Sequence, residues 1–367
     1  LRHVRPYFWV PTLDVDDASG NFLGIWSYGS DLVGRHTWDA AASIAPRTGR
    51  SQAAVSYSFR GLPAGFVHPV VSLLVDRQWD GIFRDTASGR FIDEREDRAL
   101  AALSLTTTRW RSSFGLSGAG ELVRRSRVIE GFAPDNAAAI LLGEPDVLRG
   151  VRLSSSFASL LQPPFAISPE NGVSLRLTGR QRWDTDPRQI QTSTGIVDRD
   201  LGYREATGWG AGYLALPLPG FARHVLAARA SGLYRDGPGA GLSGVGGASA
   251  GSRAFGDVLF TDIGGTQQLL PIRGVSQNTR TGNRAWTASV EYRLPLAQPR
   301  WSLRPLPAFL DRIAISGFAD AGHAWCDPVA TERLGVLCQA SDPDAPPIIT
   351  AGGEITTFLS FYGMAAP

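Results

Sequence analysis

The feature that most constrains this chain is a two-residue alternation of apolar and polar side chains, sustained over segments of about 10–14 residues. Between 285 and 294, Trp286, Ala288, Val290, Tyr292 and Leu294 fall on one side, while Ala285, Thr287, Ser289, Glu291 and Arg293 fall on the other. In 173–183, Val173, Leu175 and Leu177 oppose Ser174, Arg176, Thr178, Arg180 and Arg182. In 223–235, Leu226, Ala228, Ala230 and Tyr234 oppose Arg223, Arg229, Ser231 and Arg235. A side-chain period of two is that of a β-strand with unlike faces. The 42 Gly and 24 Pro exclude a helical protein, and the 10 Trp, 8 Tyr and 17 Phe exclude a disordered one. No run approaches the ~18–20 apolar residues of a membrane-spanning helix. No heptad survives this glycine density.

Fourteen such strands are predicted, at 5–13, 21–31, 36–46, 51–61, 66–79, 98–109, 113–129, 149–161, 171–184, 202–216, 222–235, 283–296, 311–325 and 347–361. They are long against the ~5–6 residues of soluble sheets and match the ~9–11 needed to cross a bilayer. The connections differ in length. Those at 45–50, 110–113 and 217–222 are short; those at 80–97, 131–148, 184–201, 236–282 and 326–347 are long and are expected on the opposite parity. Short periplasmic turns and long extracellular loops mark a transmembrane antiparallel β-barrel. The expected fold class is therefore all-β, residues 1–367 forming one outer-membrane barrel domain with a long inward-folding loop at 236–282. Trp26, Tyr28, Trp79, Trp110, Trp183, Trp209, Tyr234, Trp286, Trp325 and Tyr362 are expected in interface girdles. The partners this implies are outer-membrane lipids. A closed barrel satisfies every backbone polar group and leaves its polar faces to line a lumen.

Charge is close to balanced, at +2, and all the basic residues are Arg. With no basic tail or stripe, nucleic acid is not an expected partner. The five His (His3, His36, His68, His224, His323) show no metal-ligand spacing, and no metal or cofactor is expected. Gly115-Leu116-Ser117-Gly118-Ala119 breaks the nucleophile-elbow spacing at its last position. The Gly-rich stretch 237–251 is followed by no Lys and no helix, so it is not a phosphate cradle. The chain is not expected to be an enzyme. Cys326 and Cys338 lie twelve positions apart, a spacing that allows a loop disulfide; two reduced thiols fit it nearly as well.

The informative constellation follows the longest loop, which ends Leu270-Pro271-Ile272-Arg273-Gly274-Val275. The next strand carries Glu291-Tyr292-Arg293-Leu294-Pro295, and the one after it Phe318-Ala319-Asp320-Ala321-Gly322. In that last strand Phe318, Asp320 and Gly322 share a face with Arg312 and Ser316, opposite Ile313, Ile315, Ala319 and Ala321. The polar face is the lumen. A loop folded inward would bring Arg273 to Asp320 as a charge-assisted pair, its guanidinium on the Phe318 ring, with Gly274 permitting the close backbone approach. Glu291 and Arg293 would be lumen-facing neighbours.

These residues resemble the bacterial surface antigen superfamily, the BamA- and FhaC-like outer-membrane assembly and translocation barrels. In that family an Arg-Gly-aromatic tip on the sixth extracellular loop docks on a Phe-x-Asp-x-Gly strand inside a sixteen-stranded barrel. Arg273 and Gly274 match the tip; Phe318, Asp320 and Gly322 match the strand. The match is strong over about 270–325 and rests on loop order elsewhere. Val275 departs from the family's aromatic. The chain ends at Ala365-Ala366-Pro367 after about fourteen strands, so by this resemblance it is truncated before the last two, with the family's periplasmic domains outside it. The resemblance implies a non-enzymatic role in inserting or translocating polypeptides, with client polypeptides or a fused or associated periplasmic domain as partners. Alternatives are an anchor or exporter barrel for a fused propeller or lipase, and a simple diffusion porin.

Overall fold

The computed structural model describes residues 5–16, 20–62, 65–84, 91–129, 145–192, 195–247, 270–276, 278–302, 308–329, 344–361 and 364–366. The first half of the sheet comprises β1 (Arg5–Asp16), β2 (Gly20–Ser30), β3 (His36–Ala45), β4 (Arg50–Phe59), β5 (His68–Arg84), β6 (Phe91–Thr108), β7 (Ser113–Ile129), β8 (Asp146–Leu161) and β9 (Asn171–Asp184). A two-stranded ribbon follows, β10 (Arg188–Thr192) with β11 (Gly195–Arg199). Then come β12 (Tyr203–Leu216), β13 (His224–Asp236), a second ribbon of β14 (Ser243–Val245) with β15 (Arg280–Gly282), and β16 (Arg284–Ala297). The chain continues through β17 (Trp301–Ser302), β18 (Ala308–Trp325), β19 (Ile348–Phe361) and β20 (Met364–Ala366).

One antiparallel sheet runs β1-β2-β3-β4-β5-β6-β7-β8-β9-β12-β13-β16-β18-β19-β20, with β17 pairing beside β18. All fourteen predicted strands are present, and β20 adds a fifteenth that pairs with β19. Among the described residues β1 pairs only with β2 and β20 only with β19. The predicted loop at 80–97 is largely strand, because β5 continues to Arg84 and β6 begins at Phe91 in one ladder.

Cross-strand partners share a face, so the registers assign every strand position to one of two surfaces. Val55, Leu73, Val75, Leu122, Val151, Leu153, Leu177, Val290, Ile349 and Ile355 stand on the first, each about half or more exposed. Asp76, Arg98, Glu121, Arg182, Glu291, Ser316 and Asp320 stand on the second and are buried there. This is the inversion expected of a membrane barrel, with apolar groups turned outward and polar groups inward.

The inner charges are paired across strands. Arg98 forks onto Asp76 at 2.9 and 2.7 Å. Arg182 on β9 reaches Glu121 on β7 at 2.7 and 3.3 Å. They meet across β8 because the residue between them in the ladder is Gly150, where a Cβ would lie 2.9 Å from the Glu121 carboxylate and 3.0 Å from Arg182 Cγ. Arg235 closes on Glu205 at 2.6 Å.

Ladder rows climb toward the long-loop end as the strands proceed. The row leaving Ser113, at the short-turn end of β7, passes Ala158, Ser174, Ala211, Arg229 and Ser289 to reach Asp320, near the long-loop end of β18. This is the tilt of barrel strands.

Two further sequence expectations are corrected. The 45–50 turn lies on the long-loop side: tight hydrogen bonding of Gly49 N–H to the Ala45 carbonyl, with Gly49 at φ +68°, closes it without a loop. The β16–β18 connection, on the short-turn side, is the longer for carrying β17. Of the proposed girdle, Trp26, Tyr28 and Trp209 face inward: Trp26 stands opposite Ala41, Tyr28 opposite Asp39, and Trp209 opposite Arg176 and Ser231. The near-even spacing of aromatics hid which parity each occupied. Trp79, Trp183, Tyr234, Trp286 and Trp325 face outward near the long-loop ends of their strands, and Trp110 sits exposed in a short turn. Tyr362 lies outside the described residues.

The β8–β9 connection turns inward rather than away from the sheet. Ala166, Ile167, Ser168 and Glu170 are buried. Arg312 on β18 donates to the Ala166 carbonyl at 2.5 Å, although four strands (β9, β12, β13, β16) separate β8 from β18 in the sheet. The segment thus spans the short-turn end of the inner face.

Candidate functional site: the docked long loop

The 236–282 loop returns to the inner face through two described pieces. Ser243–Val245 pairs with Arg280–Gly282, and Ile272 bridges to Gly247. Val245, Leu270 and Ile272 pack with Leu233, Ala285 and Ala324 from three adjacent strands; all six are at most 5% exposed. Burying these apolar groups anchors the loop. Gly322 makes the fit: a Cβ there would lie 2.7 Å from Ile272 Cδ1 and 2.9 Å from the Trp286 carbonyl.

Arg273 follows directly. Its backbone N–H donates to Asp320 Oδ2 at 3.0 Å, its Nε to the same oxygen at 2.8 Å, and its Nη2 to Oδ1 at 2.8 Å. Nη1 donates to Glu291 Oε2 at 3.1 Å and Nη2 to Ser289 Oγ at 3.0 Å; Ser289 itself donates to Asp320 at 2.6 Å. Glu354 on β19 adds a longer ion pair at 3.6 Å. The guanidinium carbon lies 3.6 Å from the centre of the Phe318 ring, a contact worth about 2 kcal/mol where it is desolvated. Gly274 adopts φ +85°, a left-handed conformation that glycine takes without steric cost and that turns the chain back after the tip.

The structure therefore brings Arg273, Gly274, Phe318, Asp320, Gly322 and Glu291 into one contiguous site. Arg293 stands one shell away, donating to the second oxygen of Glu291 at 2.8 Å. Glu291 is a direct partner of Arg273 rather than a solvated wall residue, and is 7% exposed. Val275, which stands where the family that the sequence resembles has an aromatic, packs against the edge of the apolar cluster, as does Ile348. Cys326 is 2% exposed and disulfide-bonded; the sequence's other cysteine, Cys338, lies outside the described residues.

Sequence reading missed Ser289, Glu354, Ile272 and above all Gly352. A Cβ at Gly352 would lie 2.8 Å from Phe318 Cζ, so this glycine is the floor beneath the ring that Arg273 covers from above. The available signal was Ala351-Gly352-Gly353 inside a strand, where glycine marks close approach of another group. Among the described residues no group of His, Cys, Asp and Glu is arranged to hold a metal ion.

No protein-family model matches the sequence, and no curated protein matches it. Solved structures do match. BamA from Haemophilus ducreyi, in a form lacking POTRA domains 1–3, aligns over 99% of this chain and 68% of its own, with a TM-score of 0.56 and 16% identity. The fold is that of the BamA barrel. CdiB from Acinetobacter baumannii aligns over 99% of this chain and 54% of its own, at TM-score 0.49 and 12% identity. On the BamA-type fold the inner face lines the lumen, and the long loop carrying Arg273 is the sixth on its side, counting from the β1–β2 connection.

Proposed function

We propose that residues 1–367 form an outer-membrane barrel domain that inserts or translocates polypeptide, with no catalytic chemistry of its own. The observation that carries this is the docking of Arg273 on Asp320, Glu291 and Phe318. A loop held across the lumen by buried, charge-assisted hydrogen bonds obstructs steady diffusion. It also ties β16, β18 and β19 into one rigid wall segment, leaving motion to the sheet's other end. The outward apolar face supports a bilayer location, and the long-loop end is the extracellular one. Exposed backbone at a strand edge offers a client strand the hydrogen bonds of β-augmentation. The role needs no cofactor, and its partners are membrane lipid, client polypeptide and any periplasmic domain fused to or associated with the barrel.

The test is reconstitution. In planar bilayers the parent protein gives small, fluctuating currents, and Arg273→Ala raises them. In proteoliposomes the parent accelerates folding of an unfolded client barrel. A steady open current in the parent overturns the reading in favour of a diffusion porin. Quiet bilayers without acceleration of client folding overturn it in favour of an anchor or exporter for another domain.

A further inference from the structure

On the apolar outer surface, three arginines stand exposed side by side near the long-loop end: Arg124 on β7, Arg149 on β8 and Arg204 on β12. Their outward facing follows from register. Arg124 stands opposite Val147, Arg149 opposite Leu122 and Trp183, and Arg204 opposite Gln181, whereas the intervening positions Val123, Leu148, Arg182 and Tyr203 are buried on the inner face.

Passing from Arg124 to Arg204, the position drifts four residues toward the short-turn end over three strand steps. The ladder rows climb the other way, toward the long loops, over the same strands. The two displacements offset each other, so the three arginines share one height on the barrel. Trp183, 44% exposed, stands among them, and Leu122, Val151, Leu153 and Leu177, all more than half exposed, lie below.

Among the described residues none of the three side chains makes a hydrogen bond or ion pair. Asp97, opposite Arg124, is already held by Arg77 and Arg95. Asp236 stands opposite Arg204 in the ladder without an ion pair to it. A guanidinium on a lipid-facing wall is unfavourable at the bilayer midplane and tolerable only at the interface. There it meets headgroups, and a planar fork of donors matches phosphate oxygens.

We propose that Arg124, Arg149 and Arg204, with Trp183, form a lipid site for a headgroup carrying two phosphates on a sugar core, as diphosphoryl lipid A does. The assignment to the outer leaflet rests on the proposed orientation; the site itself does not. Three strand steps of about 4.8 Å across and four residues of about 3.3 Å along the strands separate the Cα atoms of Arg124 and Arg204 by about 20 Å. Two long side chains reaching toward each other narrow that span to one suited to two phosphates on one headgroup rather than to a single phosphodiester.

The experiment is lipid titration of the detergent-solubilised full chain, read by native mass spectrometry. The probes are diphosphoryl lipid A, monophosphoryl lipid A, phosphatidylglycerol and inorganic phosphate. Diphosphoryl lipid A binds one-to-one and most tightly. The triple variant Arg124→Gln/Arg149→Gln/Arg204→Gln loses about a hundredfold in affinity, and Arg149→Gln alone loses about fivefold. Far-ultraviolet circular dichroism confirms the folded barrel; if the triple variant does not fold, Arg149→Gln and the order among probes decide. Unchanged binding in the variants overturns the proposal, as does phosphatidylglycerol or inorganic phosphate binding as tightly as diphosphoryl lipid A. None of these readouts involves polypeptide transport, so the lipid site and the proposed function fail separately.

Discussion

Arg273 and Asp320, 47 residues apart in the chain, are joined by three hydrogen bonds of 2.8–3.0 Å, one of them from the arginine's own backbone N–H. The backbone bond fixes where the loop passes, and the side-chain fork fixes which residue passes there. Both side chains are at most 9% exposed, so neither charge is satisfied by bulk water if the other is removed.

Arg273→Ala leaves Asp320 and Glu291 facing each other without a shared cation. Breaking a buried pair costs about 3–5 kcal/mol. The expected result is a lower unfolding temperature in detergent and faster proteolysis within 236–282. Arg273→Glu is worse than Arg273→Ala, and adding Asp320→Arg recovers part of the loss. Melting of Arg273→Glu at the parent temperature, with no recovery in the double variant, removes the docking account.

Gly352 tests the aromatic floor. Gly352→Ala places a Cβ 2.8 Å from Phe318 Cζ while Arg273 blocks the ring's other face. Overpacking of this kind costs about 1–3 kcal/mol. Combining it with Phe318→Leu removes the clash, so the double variant is less destabilised than the sum of the singles. Strict additivity in a thermal-melt cycle contradicts the contact.

Gly150 separates the wall from the loop. Gly150→Val drives a side chain between Glu121 and Arg182 and splits their pair. The barrel's melting temperature falls, but the protease resistance of the docked loop at temperatures below melting is unchanged, since the Arg273 site lies on other strands. Loss of loop protection in this variant argues against that independence.

Arg312→Ala removes the donor to the Ala166 carbonyl that holds the β8–β9 connection across the short-turn end. Hydrogen exchange of Ala166 and Glu170, whose N–H groups bond to the Pro163 and Leu161 carbonyls, then rises. A deuterium-uptake pattern identical to the parent's shows that the local turn alone orders this segment.

The alternation of Val173 to Arg182, or of Ala285 to Leu294, is legible one residue at a time because the pleat has a period of two. That is why fourteen strands and the inward facing of Phe318, Asp320 and Gly322 follow from the sequence. The same rule fails for Trp26, Tyr28 and Trp209, since an aromatic suits either face and parity is settled only by what lies opposite in the ladder. It also fails at 45–50, where a short turn occurs on the long-loop side.

What the sequence determined by itself is therefore local: strand periodicity, the inner and outer faces of single strands, and the Arg-Gly and Phe-x-Asp-x-Gly motifs. Tertiary structure decided the rest. Glu291 became an Arg273 partner, Gly352 the floor of Phe318, Gly150 the gap between Glu121 and Arg182, and three distant arginines one outward row. Each depends on register and tilt between strands, and these are set by the packing of the whole sheet rather than by any one segment.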